Sequence, residues 1–118
     1  VLLKAYNDKK GITARFNKNL LKRINKELKA NFDIKSFKHS AIYNKSKSRI
    51  EMHLISLKNQ KVKVHNKNFN FKKGETIHTE SSHKYSPKSF NQLAKKSGWK
   101  VKKIWTDLNR QFSIQYLI

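Results

Sequence analysis

The sequence contains no cysteine and little that suggests a membrane protein. Without cysteine there is no disulfide, no thiolate nucleophile and no cysteine-ligated zinc or iron–sulfur site. No run approaches the roughly 20 apolar residues of a membrane span, and no apolar signal core follows the first residues, so we expect a cytoplasmic protein with no membrane partner. Its 118 residues, 36% of them hydrophobic, are enough for one ordinary core but not for a second complete domain.

Acidic residues are scarce, since 7 Asp and Glu face 28 Lys and Arg and leave a net charge of +21. Such a charge attracts phosphate polyanions, so a basic nucleic-acid-binding module without enzymatic activity is the alternative function. However, the basic residues are 24 lysines and only 4 arginines, scattered through every segment. Arginine forks are the usual readers of bases, so the pattern favours a solvated lysine surface.

Helical periodicity predicts a long amphipathic helix over residues 13–30, after a short helix within residues 1–7. Gly11 marks the break between them, and Asp33 is predicted to cap a short turn through Phe37. The apolar positions of the long helix are Phe16, Leu20, Leu21, Ile24 and Leu28.

A period close to two replaces the helical period between residues 39 and 82 and predicts five consecutive strands. Short polar connections favour an antiparallel meander joined by hairpins. Ser86 and Pro87 then begin a helix that ends at Gly98, and two further strands close the chain. The five strands are expected at residues 41–43, 49–57, 61–64, 68–71 and 76–82.

The strand at residues 76–82 is unusually rich in short polar groups. Glu80 and Ser82 are two residues apart and are therefore predicted to share one face. A carboxylate beside a hydroxyl matches the two nitrogens of an imidazole, although an edge strand facing water has the same composition. Met52 alternates with Ile50 and Leu54, which indicates a core position, although a methionine also packs well against a flat ring.

The five histidines do not predict a metal site, because only His78, Glu80 and His83 are close enough in sequence to share an ion. The sequence also has no glycine-rich phosphate loop and no catalytic triad in a recognisable context.

Several ordered blocks extend over nearly the whole chain. The blocks are Ala5–Asp8, Gly11–Asn17, Ile24–Leu28, Asn31–Asp33, Ser48–Met52, Gly74–Glu80 and Trp105–Asp107. Together they resemble the histidine-specific methyltransferases, which trimethylate the α-amino group of histidine on the way to ergothioneine.

This resemblance implies an α+β fold in which the chain is the C-terminal portion of an enzyme. Residues 1–85 are expected to be the C-terminal part of the substrate-binding domain. Residues 86–118 are expected to be the last helix and strand pair of a Rossmann-like methyltransferase sheet. The cofactor, S-adenosylmethionine, is then held mainly by a part upstream of Val1, and the chain alone is expected to be inactive and monomeric.

The resemblance also assigns four substrate-binding residues for L-histidine. Tyr6 matches a tyrosine that holds the α-carboxylate, and Glu80 and Ser82 match the pair that grips the imidazole. Met52 matches a residue that lines the same pocket. An asparagine and a tyrosine near the amino group are expected upstream, and no residue of this chain is assigned to catalysis or to the cofactor.

Overall fold

The computed structural model describes residues 2–118, which divide into two compact units at His83 and Lys84. The first unit contains two α-helices, a 3₁₀ turn and five strands, and the second contains one helix and two strands. The elements of the first unit are α1 (Leu2–Tyr6), α2 (Ile12–Glu27), the 3₁₀ turn (Ile34–Ser36), β1 (Phe37–Asn44), β2 (Arg49–Ser56), β3 (Gln60–Val64), β4 (Lys67–Phe71) and β5 (Thr76–His83). Those of the second are α3 (Pro87–Lys96), β6 (Val101–Thr106) and β7 (Ser113–Leu117).

The predicted five-stranded meander is confirmed for the pairs β1–β2 and β3–β4 but wrong for the pairs β2–β3 and β4–β5. All five strands exist and pair antiparallel, but β2 pairs with β1 and β5, while β3 and β4 form a separate hairpin. The chain therefore leaves the sheet after β2 and returns to it at β5. Strand alternation is a local property and does not reveal which strands pair.

The β3–β4 hairpin leaves the sheet because it packs elsewhere. Val62 of β3 is 1% exposed and joins a core cluster with residues of α2, β1 and β2. Asn31, just after α2, donates its backbone N–H to the Lys63 carbonyl and accepts from the Lys63 N–H through its side chain. The buried members of this cluster are Leu21, Phe32, Phe37, Leu54 and Val62.

Helix α2 is confirmed as a long amphipathic helix, but its end and its buried face differ from the prediction. It ends at Glu27 because Lys29 adopts a left-handed backbone with φ 48°. Leu21 is buried, whereas Phe16 is 66% exposed. The polar Asn17, at 3% exposure, lies against the sheet instead. Asp33 does cap the 3₁₀ turn, as predicted, by accepting from the Lys35 N–H.

The second unit has the predicted order of helix, strand and strand. Ser86 caps α3 in a reciprocal capping box with Ser89, and Pro87 occupies the first turn, where its missing N–H costs nothing. Strands β6 and β7 pair antiparallel, and large apolar side chains such as Trp105 and Ile114 remain exposed on them. None of the helices within residues 2–118 is long and apolar enough to cross a membrane.

Candidate functional site

A β-bulge in β5 decides which side chains meet. Met52 of β2 pairs with Glu80, but the next residue, His53, pairs with His78, so Thr79 is the extra residue. The Thr79 hydroxyl donates to the Met52 carbonyl oxygen at 3.0 Å. On the C-terminal side of the bulge the register is regular again.

The bulge places Glu80 and Ser82 on the face of the sheet that carries Met52 and Ile50, because each pairs directly with one of them. The prediction that Glu80 and Ser82 share a face is therefore confirmed. The same register places His78 on the opposite face, although it is only two residues from Glu80. The grouping of His78, Glu80 and His83 that the spacing allowed does not form on one face.

Tyr6 reaches this face from the end of α1. Its ring packs against a buried cluster of Ala41, Ile50 and Met52, in which the small Ala41 side chain leaves room for the ring. The phenol O–H donates to Ser82 Oγ at 2.9 Å. Tyr6, Met52 and Ser82 are thus brought together from three separate parts of the sequence.

The turn between the two helices caps α2. Asp8 accepts from the backbone N–H groups of Ile12 and Thr13, both at 2.9 Å, and so satisfies the first turn of α2. Hydrogen bonds from the Thr13 and Ile12 amides lower the pKa of Asp8 to about 2. Gly11 permits the turn with φ 68°, a conformation that side chains other than glycine adopt with strain.

Two adjoining cavities open beside this cluster. The first has a volume of about 260 Å³ and the second about 200 Å³, and Phe16, Met52 and Glu80 line both. The first is lined by Ala5, Tyr6, Thr13, Phe16, Met52 and Glu80. The second is lined by Phe16, Asn17, Asn19, Leu20, Arg23, Met52, Thr79 and Glu80.

The cavity chemistry suits a small flat ring that carries polar nitrogens. Phe16 and Met52 supply apolar walls, and a thioether packs favourably against an aromatic ring. Glu80 lines both cavities, and its carboxylate accepts from an N–H. Ser82 lines neither of these two cavities, but its hydroxyl, which can both donate and accept, bonds to the Tyr6 phenol that lines the first. An imidazole matches this combination of groups.

Sequence reasoning missed three residues that line the first cavity, Ala5, Thr13 and Phe16. Phe16 appeared to belong to the buried stripe of α2, but the helix is rotated so that Phe16 borders the cavity. Thr13 precedes Phe16 by about one turn on the same helix, and no pattern in the sequence identified it as a site residue. The helical period alone predicted the apolar stripe of α2, but it did not predict which residues of the stripe face the core.

A separate polar cluster lies on the opposite face of the sheet. One oxygen or ring nitrogen from each of Glu51, His53 and His78 lies within 4.8 Å of the others. The buried Glu51 accepts at Oε1 from Arg49 Nε at 2.7 Å and Asn44 Nδ2 at 2.9 Å, and its Oε2 lies 3.2 Å from His53 Nε2. Hydrogen bonding to Arg49 is the main reason that the pKa of Glu51 falls to about 2.

These three residues are the ones that could hold a metal in the described part of the chain, but their contacts argue for a hydrogen-bonded network around the Arg49–Glu51 ion pair. The Arg49 guanidinium already neutralises Glu51. Ligation through His53 Nε2 would put the ring proton on Nδ1, which is buried and has no hydrogen-bond partner among the described residues. The rings of His53 and His78 are stacked with centroids 4.7 Å apart, and His78 Nε2 already lies 3.0 Å from the Glu80 carbonyl oxygen.

Comparison with known proteins shows the same family over the whole chain. Residues 1–118 match the family model described as histidine-specific methyltransferase, SAM-dependent. The chain is 37% identical over 115 residues to the histidine N-alpha-methyltransferase of Mycobacterium tuberculosis (strain CDC 1551 / Oshkosh), covering 96% of this chain and 36% of that protein. It is 35% identical over 119 residues to the protein of the same name from Mycolicibacterium smegmatis (strain ATCC 700084 / mc(2)155), covering 99% and 37%.

The chain thus spans a little over a third of the length of the curated relatives it matches. Neither the family model nor the names of these relatives support the alternative of a nucleic-acid-binding module.

Proposed function

Because the chain belongs to the family of histidine-specific, SAM-dependent methyltransferases, we propose that it is part of an enzyme that methylates the α-amino group of L-histidine. One observation carries this proposal: Glu80 and Ser82 share a face with Met52, beside a cavity that Tyr6 also lines. A carboxylate, a thioether and a phenol that line one cavity, with a serine hydroxyl bonded to the phenol, are a suitable set for an amino acid with an imidazole side chain.

In this proposal Glu80 accepts from one imidazole N–H, and Ser82 donates to the other ring nitrogen. Tyr6 donates its O–H to the substrate's α-carboxylate. In the free chain the Tyr6 O–H donates to Ser82 Oγ. Substrate binding then exchanges this contact for one bond to each end of histidine. Met52 and Phe16 enclose the ring between them.

Methyl transfer needs an uncharged amine whose lone pair points along the line of attack. S-adenosylmethionine supplies the methyl group as an electrophilic sulfonium. The residues of this chain contribute by holding both ends of histidine, which fixes the position of its amino group and excludes water. Glu80 and Ser82 set substrate specificity in this account and transfer no proton, because they contact the ring and not the reacting nitrogen.

None of the described residues matches a loop that holds a nucleoside, so we assign none to the cofactor and propose that it binds mainly upstream of Val1. We further propose that residues 1–85 are part of the substrate-binding domain, and that residues 86–118 complete a Rossmann-like sheet. Support for the latter comes from the exposed apolar side chains of β6 and β7, which include Ile104, Trp105 and Tyr116. Large exposed apolar surfaces typically mark a site of contact.

We also propose that the product is a trimethylated betaine of the ergothioneine type. The enzyme is proposed to be cytoplasmic, where free histidine is present. The alternatives of mono- or dimethylation are separated by mass spectrometry of the product.

Isothermal titration calorimetry tests the proposal that this chain contributes to the histidine site while the cofactor binds elsewhere. A full-length protein that carries these residues should bind L-histidine saturably and convert it when S-adenosylmethionine is added. The 118-residue chain alone should show no specific binding of S-adenosylmethionine. Saturable micromolar binding of the cofactor by the chain alone would contradict the proposed architecture, and absence of histidine binding by the full-length protein would contradict the proposed substrate.

A further inference from the structure

His39 of β1 joins the two helices that border the cavity. Its Nε2 lies 2.8 Å from the backbone carbonyl oxygen of Tyr6, at the end of α1. Its Nδ1 lies 2.9 Å from Nδ2 of Asn17, on α2. Asn17 is 3% exposed and also donates from Nδ2 to the His53 carbonyl oxygen at 3.2 Å. A single imidazole therefore links α1, α2 and the sheet.

These contacts fix where the ring proton lies. The Tyr6 carbonyl oxygen only accepts, so His39 Nε2 must carry the proton and donate it. Nδ1 is then a bare acceptor in the neutral ring and takes an N–H from Asn17. The Asn17 amide cannot turn over without losing its bond to the His53 carbonyl oxygen. The three contacts are consistent only with neutral His39 protonated at Nε2.

The contact with Tyr6 bears on the cavity and not merely on the attachment of α1. The Tyr6 carbonyl belongs to the last turn of α1, where helical carbonyls lack partners within the helix. Asn7, the next residue, holds α1 to β1 independently, because its side-chain amide both donates to the Ala41 carbonyl and accepts from the Ala41 N–H. The Tyr6 carbonyl and the Asn7 N–H form one peptide group, and this N–H donates to the Leu3 carbonyl oxygen at 3.0 Å. Removal of the His39 bond thus leaves α1 attached but takes away the bond that joins this peptide group to the sheet.

We propose that His39 is a positioning residue that orients Tyr6 toward the substrate's α-carboxylate through the hydrogen bond from His39 Nε2 to the Tyr6 carbonyl oxygen. This inference rests on the proposed function for the role of Tyr6, but the hydrogen bond itself does not depend on it. His39 touches neither of the groups proposed to hold the imidazole ring. Its effect on histidine is exerted through Tyr6.

Two amide variants, each of which replaces one ring nitrogen, separate the two contacts of His39. In His39→Gln the side-chain amide nitrogen can take the place of Nε2 and donate to Tyr6. In His39→Asn the shorter side chain can keep an acceptor for Asn17 in the place of Nδ1 but cannot reach Tyr6. Both variants lose the ring and one contact, so each is the control for the other. The melting temperature of each should be measured alongside binding.

In the full-length protein we expect the Kd and KM for L-histidine to stay within about twofold for His39→Gln and to rise about fivefold or more for His39→Asn, the effect of one lost hydrogen bond. The KM for S-adenosylmethionine should not change in either variant. An equal loss of histidine affinity in both variants, or no loss in either, overturns the inference.

Nitrogen-15 NMR of the unsubstituted 118-residue chain provides a readout that needs no substrate. The His39 ring should show a proton on Nε2, and a bare Nε2 overturns the inference. If the unsubstituted full-length protein fails to bind histidine, the proposed function fails. If it binds histidine but the two His39 variants do not differ, only the role of His39 fails.

Discussion

The replacement of Glu80 is the most direct test of the proposed pocket. Glu80 is exposed to the cavity, and its carboxylate is not part of the core. Glu80→Ala should therefore change the free energy of unfolding by no more than about 0.5 kcal/mol, as is usual for surface positions. This separates an effect on histidine binding from an effect on folding.

The expected loss follows from the kind of hydrogen bond that the carboxylate makes. A hydrogen bond to an ionised group contributes about 1.5–3 kcal/mol, so Glu80→Ala should weaken L-histidine binding about 10- to 150-fold. Glu80→Gln keeps an acceptor oxygen but removes its charge. The neutral bond is weaker by about 1 kcal/mol, so this variant should lose only about fivefold.

Calorimetry of L-histidine binding to the full-length protein measures these losses. Glu75→Gln is the matched control, because it removes one exposed carboxylate from the turn before β5 and keeps an acceptor for the Lys72 N–H. Both glutamine variants raise the net charge by one, so a general effect of the basic surface would appear in both. A Kd for Glu80→Ala within twofold of the unsubstituted value would refute the placement of the imidazole against Glu80.

Two further predictions concern the faces on either side of the sheet. Ala41→Leu should overfill the space under the Tyr6 ring, lower the free energy of unfolding by about 1–3 kcal/mol and weaken histidine binding. Its control is Ala94→Leu, at a buried alanine of the second unit, which should lower stability without changing the Kd for histidine. Equal losses of binding in both variants would contradict the reasoning. For Glu51, the folded pKa of about 2 lies below its ordinary value of 4.5, so its contribution to stability is present above pH 4.5 and lost as the pH falls toward 2. Urea unfolding of Glu51→Gln should therefore show a flatter dependence on pH in that window than the unsubstituted chain, whereas a parallel pH profile would remove Glu51 from the acid transition.

Local patterns predicted the elements of this chain well. The capping residues Asp33 and Ser86 were identified because a short polar side chain accepts from N–H groups two or three residues away. Such an interaction depends only on residues that are close in sequence. The five strands of the first unit were also found, because alternation of side chains is local. The pairs β1–β2 and β3–β4 were also predicted, but the pairing of β2 with β5 was not, since the β3–β4 hairpin leaves the sheet to bury Val62 with Leu21 and Phe37.

The candidate site was likewise predicted only as far as local patterns and the resemblance allowed. Glu80 and Ser82 could be paired from their spacing, and the resemblance added Tyr6 and Met52. No local pattern indicated that His78 faces away from Glu80, because the bulge at Thr79 depends on how β5 pairs with β2.

The sequence by itself determined the family, the order of helices and strands, and the polar pair on β5, because these depend on residue types at short separations. Only the tertiary structure decided that Asn17 is buried while Phe16 borders a cavity, and that His39 connects the two helices beside it. The rotation of a helix and the register across a bulge are set by packing between distant segments, and no local pattern encodes them.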